Sequence, residues 1–129
     1  MNRLLLIAPI AFLSLGCPAS GPTEPKGAEV SGIVKLNGTP LKEGVITFVP
    51  EKSDGFPAPT GQITDGNYKV KARVGANKVE IRSPRDTGKK NSTGGVVMEE
   101  SIPPQYNERS TLTSNVTGEM KDVFFDLKK

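Results

Sequence analysis

The chain has 129 residues and a formal charge of +3, with no histidine, no tryptophan and one cysteine. That length holds a single domain, and the near-neutral balance excludes a nucleic-acid binder of the usual kind, which needs a clustered basic face with aromatic neighbours. The commonest general base and metal ligand is missing, and so is the commonest carbohydrate-stacking side chain, which removes most catalytic, metal-binding and lectin-like readings before any motif is considered.

Met1-Asn2-Arg3 is a short basic segment, and Leu4 to Leu15 is an apolar run broken by Pro9 and Ser14. A run of about twelve residues is too short to cross a bilayer, for which about 20 are needed. It has the proportions of a signal-peptide core. Residues 1–16 are therefore expected to be a removable signal. The run Leu13-Ser14-Leu15-Gly16-Cys17 resembles the lipobox of bacterial lipoproteins, with Ser14 where that family prefers leucine. The resemblance implies acylation of Cys17, cleavage before it, and attachment to a membrane that the chain does not span. The alternative is an ordinary thiol with cleavage nearby, at Ala19 or Ser20, although a lone unpaired cysteine is a liability in an oxidising compartment.

Residues 17–28 contain no large apolar side chain and three prolines, Pro18, Pro22 and Pro25, which suits an extended tether between membrane and domain. Pro18 stands where an inner-membrane retention signal of well-studied lipoproteins has aspartate, so the outer membrane is the favoured location.

From residue 29 onward no stretch keeps helical apolar spacing, and several short runs alternate with period two, which predicts an all-β domain over 29–129. Val30–Leu36 is the first expected strand, with Asn37-Gly38 as a two-residue turn. Thr39–Gly44 is read as loop. Val45–Val49 is apolar throughout, so its inward face is undetermined. Glu51–Pro59 is a Gly/Pro loop with Phe56 at its centre, followed by a short strand over Thr60–Thr64 and a turn at Asp65-Gly66. Asn67–Ala72 places Tyr68, Val70 and Ala72 on one face, and Lys78–Arg82 does the same with Val79 and Ile81. Pro84–Ser101, rich in Gly, Lys, Asn, Ser and Thr, is read as a long loop. Ser110–Val116 and Asp122–Leu127 complete a set of about seven strands. A β-sandwich accommodates them, with a small open barrel as the competing architecture.

The residues Val30-Ser31-Gly32-Ile33-Val34, Gly38, Pro40-Leu41, Gly44-Val45 and Phe48-Val49-Pro50, with Thr64-Asp65-Gly66-Asn67-Tyr68, resemble the opening of carboxypeptidase-regulatory-like domains. Ile102-Pro103-Pro104-Gln105-Tyr106 with Ser110, Leu112, Val116, Gly118, Phe125 and Leu127 is similar to the C-terminal half of small bacterial lipoproteins built on that fold. The resemblance implies a seven-stranded transthyretin-like sandwich serving as an accessory or interaction module, with no cofactor. The hydroxyisourate hydrolases that share this fold use histidines and a C-terminal tyrosine-arginine-glycine-serine motif, both missing here, so no enzyme is expected.

Other chemistry is thin. The acids Asp54, Asp65, Glu99, Glu100, Asp122 and Asp126 lack EF-hand spacing, and Gly88–Gly94 lacks the ordered phosphate-loop pattern. Phe56 is the candidate ligand contact, as an aromatic platform in an open loop. The expectation is a non-catalytic, lipid-anchored interaction or structural module at the cell envelope, whose partner is another envelope protein. The alternative is a binding module for a glycan or small apolar ligand.

Overall fold

The computed structural model describes Gly16, Gly21 and residues 23–129 of the chain. Cys17 and the leading segment, Gly16 aside, lie outside the described residues. The described part is all-β, with a single 3-10 turn at Pro104–Tyr106. None of its helices is long and apolar enough to cross a membrane.

The first strand, β1 (Gly27–Leu36), begins inside the stretch assigned to the tether. A two-residue β2 (Thr39–Pro40) lies in the region read as loop, and is followed by β3 (Glu43–Pro50), β4 (Thr60–Thr64), β5 (Asn67–Arg73) and β6 (Gly75–Arg82). The two expected turns form as predicted. Asn37 and Gly38 have φ of 52° and 78°, and Asp65 and Gly66 have 50° and 82°, the pair of positive values that a tight hairpin turn requires.

Pro84–Ser101 is not an unstructured loop. It contains β7 (Pro84–Lys90) and β8 (Val96–Glu100), paired with each other in a two-stranded sheet separate from the main one. The period-two signal is missing because neither face is buried enough to demand apolar residues, while the turn is set locally: Asn91 Oδ1 accepts from the amides of Thr93 (3.1 Å) and Gly95 (2.8 Å). The last two strands are shorter than expected, β9 (Thr113–Val116) and β10 (Phe125–Leu127). Asp122, with φ of 59°, interrupts the extended backbone before β10. The described residues thus form ten strands in place of about seven.

The main sheet runs in the order β10-β1-β5-β4-β3-β6-β9, with β2 paired to β1. Every pairing is antiparallel except β1–β10, which is parallel. β1 meets β5 over Gly27–Ile33 and then meets β10 over Val34–Leu36. The sheet curls into a half-barrel around one core that includes Val30, Val34, Ile46, Phe48, Ile63, Tyr68, Val70, Val79, Ile81, Phe125 and Leu127. In β3, where composition left the inward face open, Ile46 and Phe48 are buried while Val45 and Val49 are half-buried. Phe48, Tyr68 and Phe125 carry aromatic contact across three strands, with ring centroids 6.4 Å and 6.1 Å apart.

Residues 102–112 bridge the open side. Asn107 Nδ2, buried, donates to the carbonyls of Ile102 (3.2 Å) and Pro103 (3.3 Å), and Ser110 Oγ donates to Val79 O on β6. Tyr106 accepts from Lys128 N at 3.0 Å and donates to Lys128 O at 3.2 Å, clasping the chain just beyond β10. The Lys128 amide, with Gln105 second, holds the Tyr106 phenol below its usual pKa.

Candidate functional site

Two places at opposite ends of β6 gather polar chemistry. The first is at the β5–β6 turn. Arg73, the last residue of β5, is buried, an unfavourable place for a cation unless its charge and donors are matched. Its Nε lies 2.7 Å from Asp54 Oδ2, its NH2 donates to Pro57 O at 3.4 Å, and its NH1 is 3.6 Å from Glu24. Asp54 also accepts the Phe56 amide at 2.9 Å, so one carboxylate pins the Glu51–Pro59 loop to the sheet. The Arg73 hydrogen bond, followed by the Phe56 amide, holds the Asp54 carboxyl below its usual 3.8.

Phe56 is half-buried, with the Arg73 guanidinium carbon 6.0 Å from its ring centroid. The sequence placed this ring in an open loop; the structure backs it against a cation. Arg73, which the sequence reading did not single out, is the residue that organises the site. Alternation gave no signal for it: Arg73 follows Ala72 and falls in phase with the outward Lys69 and Lys71, yet is buried.

Next to it, Asn77 Nδ2 donates to Arg73 O and Gly75 O, both at 2.9 Å, closing the turn. Asn77 Oδ1 is buried without a hydrogen-bond partner among the described residues. A cleft of about 600 Å³ opens here, with Arg73, Asp54, Lys52, Val74 and Pro25 in its wall. It holds the Arg73 guanidinium and the Asp54 carboxylate, paired with each other, together with Lys26, Lys52 and Glu51, which suits polar recognition.

The pH dependence of this latch follows from its direction of shift. A carboxylate whose folded pKa is depressed stabilises fully above its unfolded value and loses that contribution as pH falls through the folded value. Acidification below the ordinary 3.8 should release the Glu51–Pro59 loop. Amide exchange at Phe56 measures it: the wild type should show an acid step that Asp54→Asn lacks, its exchange being fast already at neutral pH.

The second place is the root of the β7–β8 arm. Glu100 Oε1 accepts the amides of Ser83 (2.7 Å) and Ile102 (3.0 Å), and Ser101 Oγ donates to Ser83 O at 2.6 Å. These bonds fix the direction in which the arm leaves the domain. Beyond its root the arm is exposed except for the half-buried Thr87 and Val97, and Val96 and Met98 are among its exposed residues. Gly88–Gly94 forms part of β7 and the arm's turn, with no helix following it.

Among the described residues no group of three or more His, Cys, Asp or Glu could hold a metal ion. Glu99 and Glu100 lie on the arm, Asp65 in a hairpin turn, and Asp122 and Asp126 beside β1, so the structure scatters the acids.

No family model and no curated protein matches this chain. Among solved structures it is similar to the crystal structure of a 9R-lipoxygenase from Cyanothece PCC8801, at 15% identity and a TM-score of 0.39 over 88% of its length. The chain spans 18% of that lipoxygenase chain, and at this score the likeness carries no argument about fold or activity.

Proposed function

We propose that this chain is an exported lipoprotein anchored through Cys17, and that its β domain, a sandwich of the transthyretin-like, carboxypeptidase-regulatory-like kind, acts as a non-catalytic interaction module at the cell envelope, on the outer membrane. One observation carries the interaction reading. The N-terminal segment meets the domain at the β5–β6 turn, where Val74 N donates to Lys26 O at 3.4 Å, whereas the β7–β8 arm leaves from the far end of β6 after Arg82. The eight residues of β6 separate the two by about 26 Å at ~3.3 Å per residue. On this reading a domain tethered at one end of β6 holds an exposed two-stranded arm at the other.

A glycan or small apolar ligand is the second reading, favoured by the cleft lined by Arg73, whose guanidinium also stands against the Phe56 ring. Two measurements test these assignments. Intact mass of the protein from its native membrane should give a chain starting at Cys17 with added acyl mass, and Cys17→Ser should lose both the mass and the membrane fraction. An unmodified chain starting elsewhere would remove the anchor. Cross-linking in cells should yield protein adducts; their absence, together with glycan binding lost in Phe56→Ala, would favour the ligand reading.

A further inference from the structure

The β7–β8 arm has two different faces. Paired residues of an antiparallel ladder project to the same side, and so do residues two apart on one strand. The register pairs Asp86 with Met98 and Lys90 with Val96, with a bulge between Asp86 and Lys90. One face therefore reads, from root to tip, Pro84 and Glu100, whose carboxylate is taken up by the Ser83 and Ile102 amides, then Asp86 and Met98, then Lys90 and Val96. The other carries Arg85 opposite Glu99, a neutral cross-strand pair, and the half-buried Val97.

On the first face Val96 is 52% and Met98 54% exposed, among the most exposed large apolar side chains of the described residues. An isolated two-stranded ribbon is marginal in water, and this one stands apart from the main sheet. The order of charge is the informative feature. On this face β7 carries an anion toward the root and a cation toward the tip, beside the apolar pair on β8. Turned end over end about a two-fold axis through its centre, the pattern meets its own complement: Val96 faces Met98, and Lys90 faces Asp86, twice.

We propose that this face docks on the same face of a second copy of the chain, the two arms lying antiparallel. The proposal rests on the interaction-module reading and names its partner. At the root, Asp86 and Met98 line a cleft of about 690 Å³ between arm and domain, where Leu36 and Leu41 extend the apolar wall. The tip of the partner's arm enters there. Lys42, Arg85 and Lys129 also line this cleft, with Glu43 as its other acid, so the pairing of the incoming Lys90 with Asp86 forms against three cations. One hairpin face is smaller than a stable interface needs, so the association is weak in solution. Anchoring both copies to one membrane raises their effective concentration.

Sedimentation velocity of the full chain in density-matched detergent, from micromolar to millimolar, tests the pairing. The wild type should show a monomer–dimer equilibrium, and Met98→Glu should be monomeric. Asp86→Lys and Lys90→Asp should each weaken association at least about tenfold by placing like charges together twice. The double variant Asp86→Lys/Lys90→Asp should recover it. Asp86 Oδ1 also accepts the Gly88 amide at 2.7 Å, so Lys90→Asp, which disturbs no such bond, is the cleaner single change. A wild type that stays monomeric, a dimer indifferent to Met98→Glu, or a double variant no better than the singles would overturn the proposal. In that event cross-linked partners of another kind would still leave the interaction module standing.

Discussion

Gly32→Ala is expected to be the most damaging small substitution in the domain. A Cβ at this position would stand 1.9 Å from Val123 O and 2.6 Å from its carbonyl carbon, both backbone atoms that cannot rotate away. The segment before β10 runs across β1 here, with Val123 N donating to Ser31 O at 3.0 Å and Met120 N to Glu29 O at 2.9 Å. Tyr68 Oη donates to the same Val123 carbonyl at 2.8 Å. Its burial raises the phenol's pKa, so it remains a donor throughout the neutral range. A methyl group must lift the segment, lose these bonds and loosen Phe125 and Leu127 from the core. Overpacking alone typically costs 1–3 kcal/mol, and with the lost bonds we expect at least about 3 kcal/mol by denaturant unfolding. Gly38→Ala is the control. Nothing lies within 4 Å of the place its methyl group would take, so only the positive φ is penalised, at about 1 kcal/mol. Equal effects from the two would mean that the crossing at Val123 is not a close one.

Phe48→Ala should cost about 3–5 kcal/mol, the usual range for emptying a fully buried aromatic site. Phe48 sits on β3, between β4 and β6, and its ring meets that of Tyr68, which in turn meets Phe125 on β10. Removing it leaves a void where the two halves of the curled sheet face each other. Tyr68→Phe keeps the ring stack and gives up the bond to Val123, so it should cost about 1 kcal/mol. A denaturant midpoint that moved less for Phe48→Ala than for Tyr68→Phe would show that the aromatic stack is not what joins the sheet.

The all-β class, the two tight turns and the inward faces of β5 and β6 were legible in the sequence because they rest on local rules. Alternation marks Tyr68, Val70, Ala72, Val79 and Ile81, and Asn-Gly and Asp-Gly supply two adjacent positive φ values. The arm was missed because a ribbon wet on both sides has no burial pattern to read. Arg73 was missed because its burial depends on Asp54 and Phe56, which lie in a separate loop and reach it only when the sheet is formed.

By itself, then, the sequence determined the strand class, the turns, a third of the core, and the N-terminal pattern around Cys17 from which a lipid anchor is argued. Tertiary structure alone decided the parallel return of β10 along β1, the need for glycine at position 32, the Arg73–Asp54 latch and the pattern of the arm's outer face. The physical reason is the range of the interactions. Period-two burial and turn geometry act between neighbours in the chain, whereas a backbone crossing, a partly buried ion pair and a cross-strand register join residues whose separation carries no local mark.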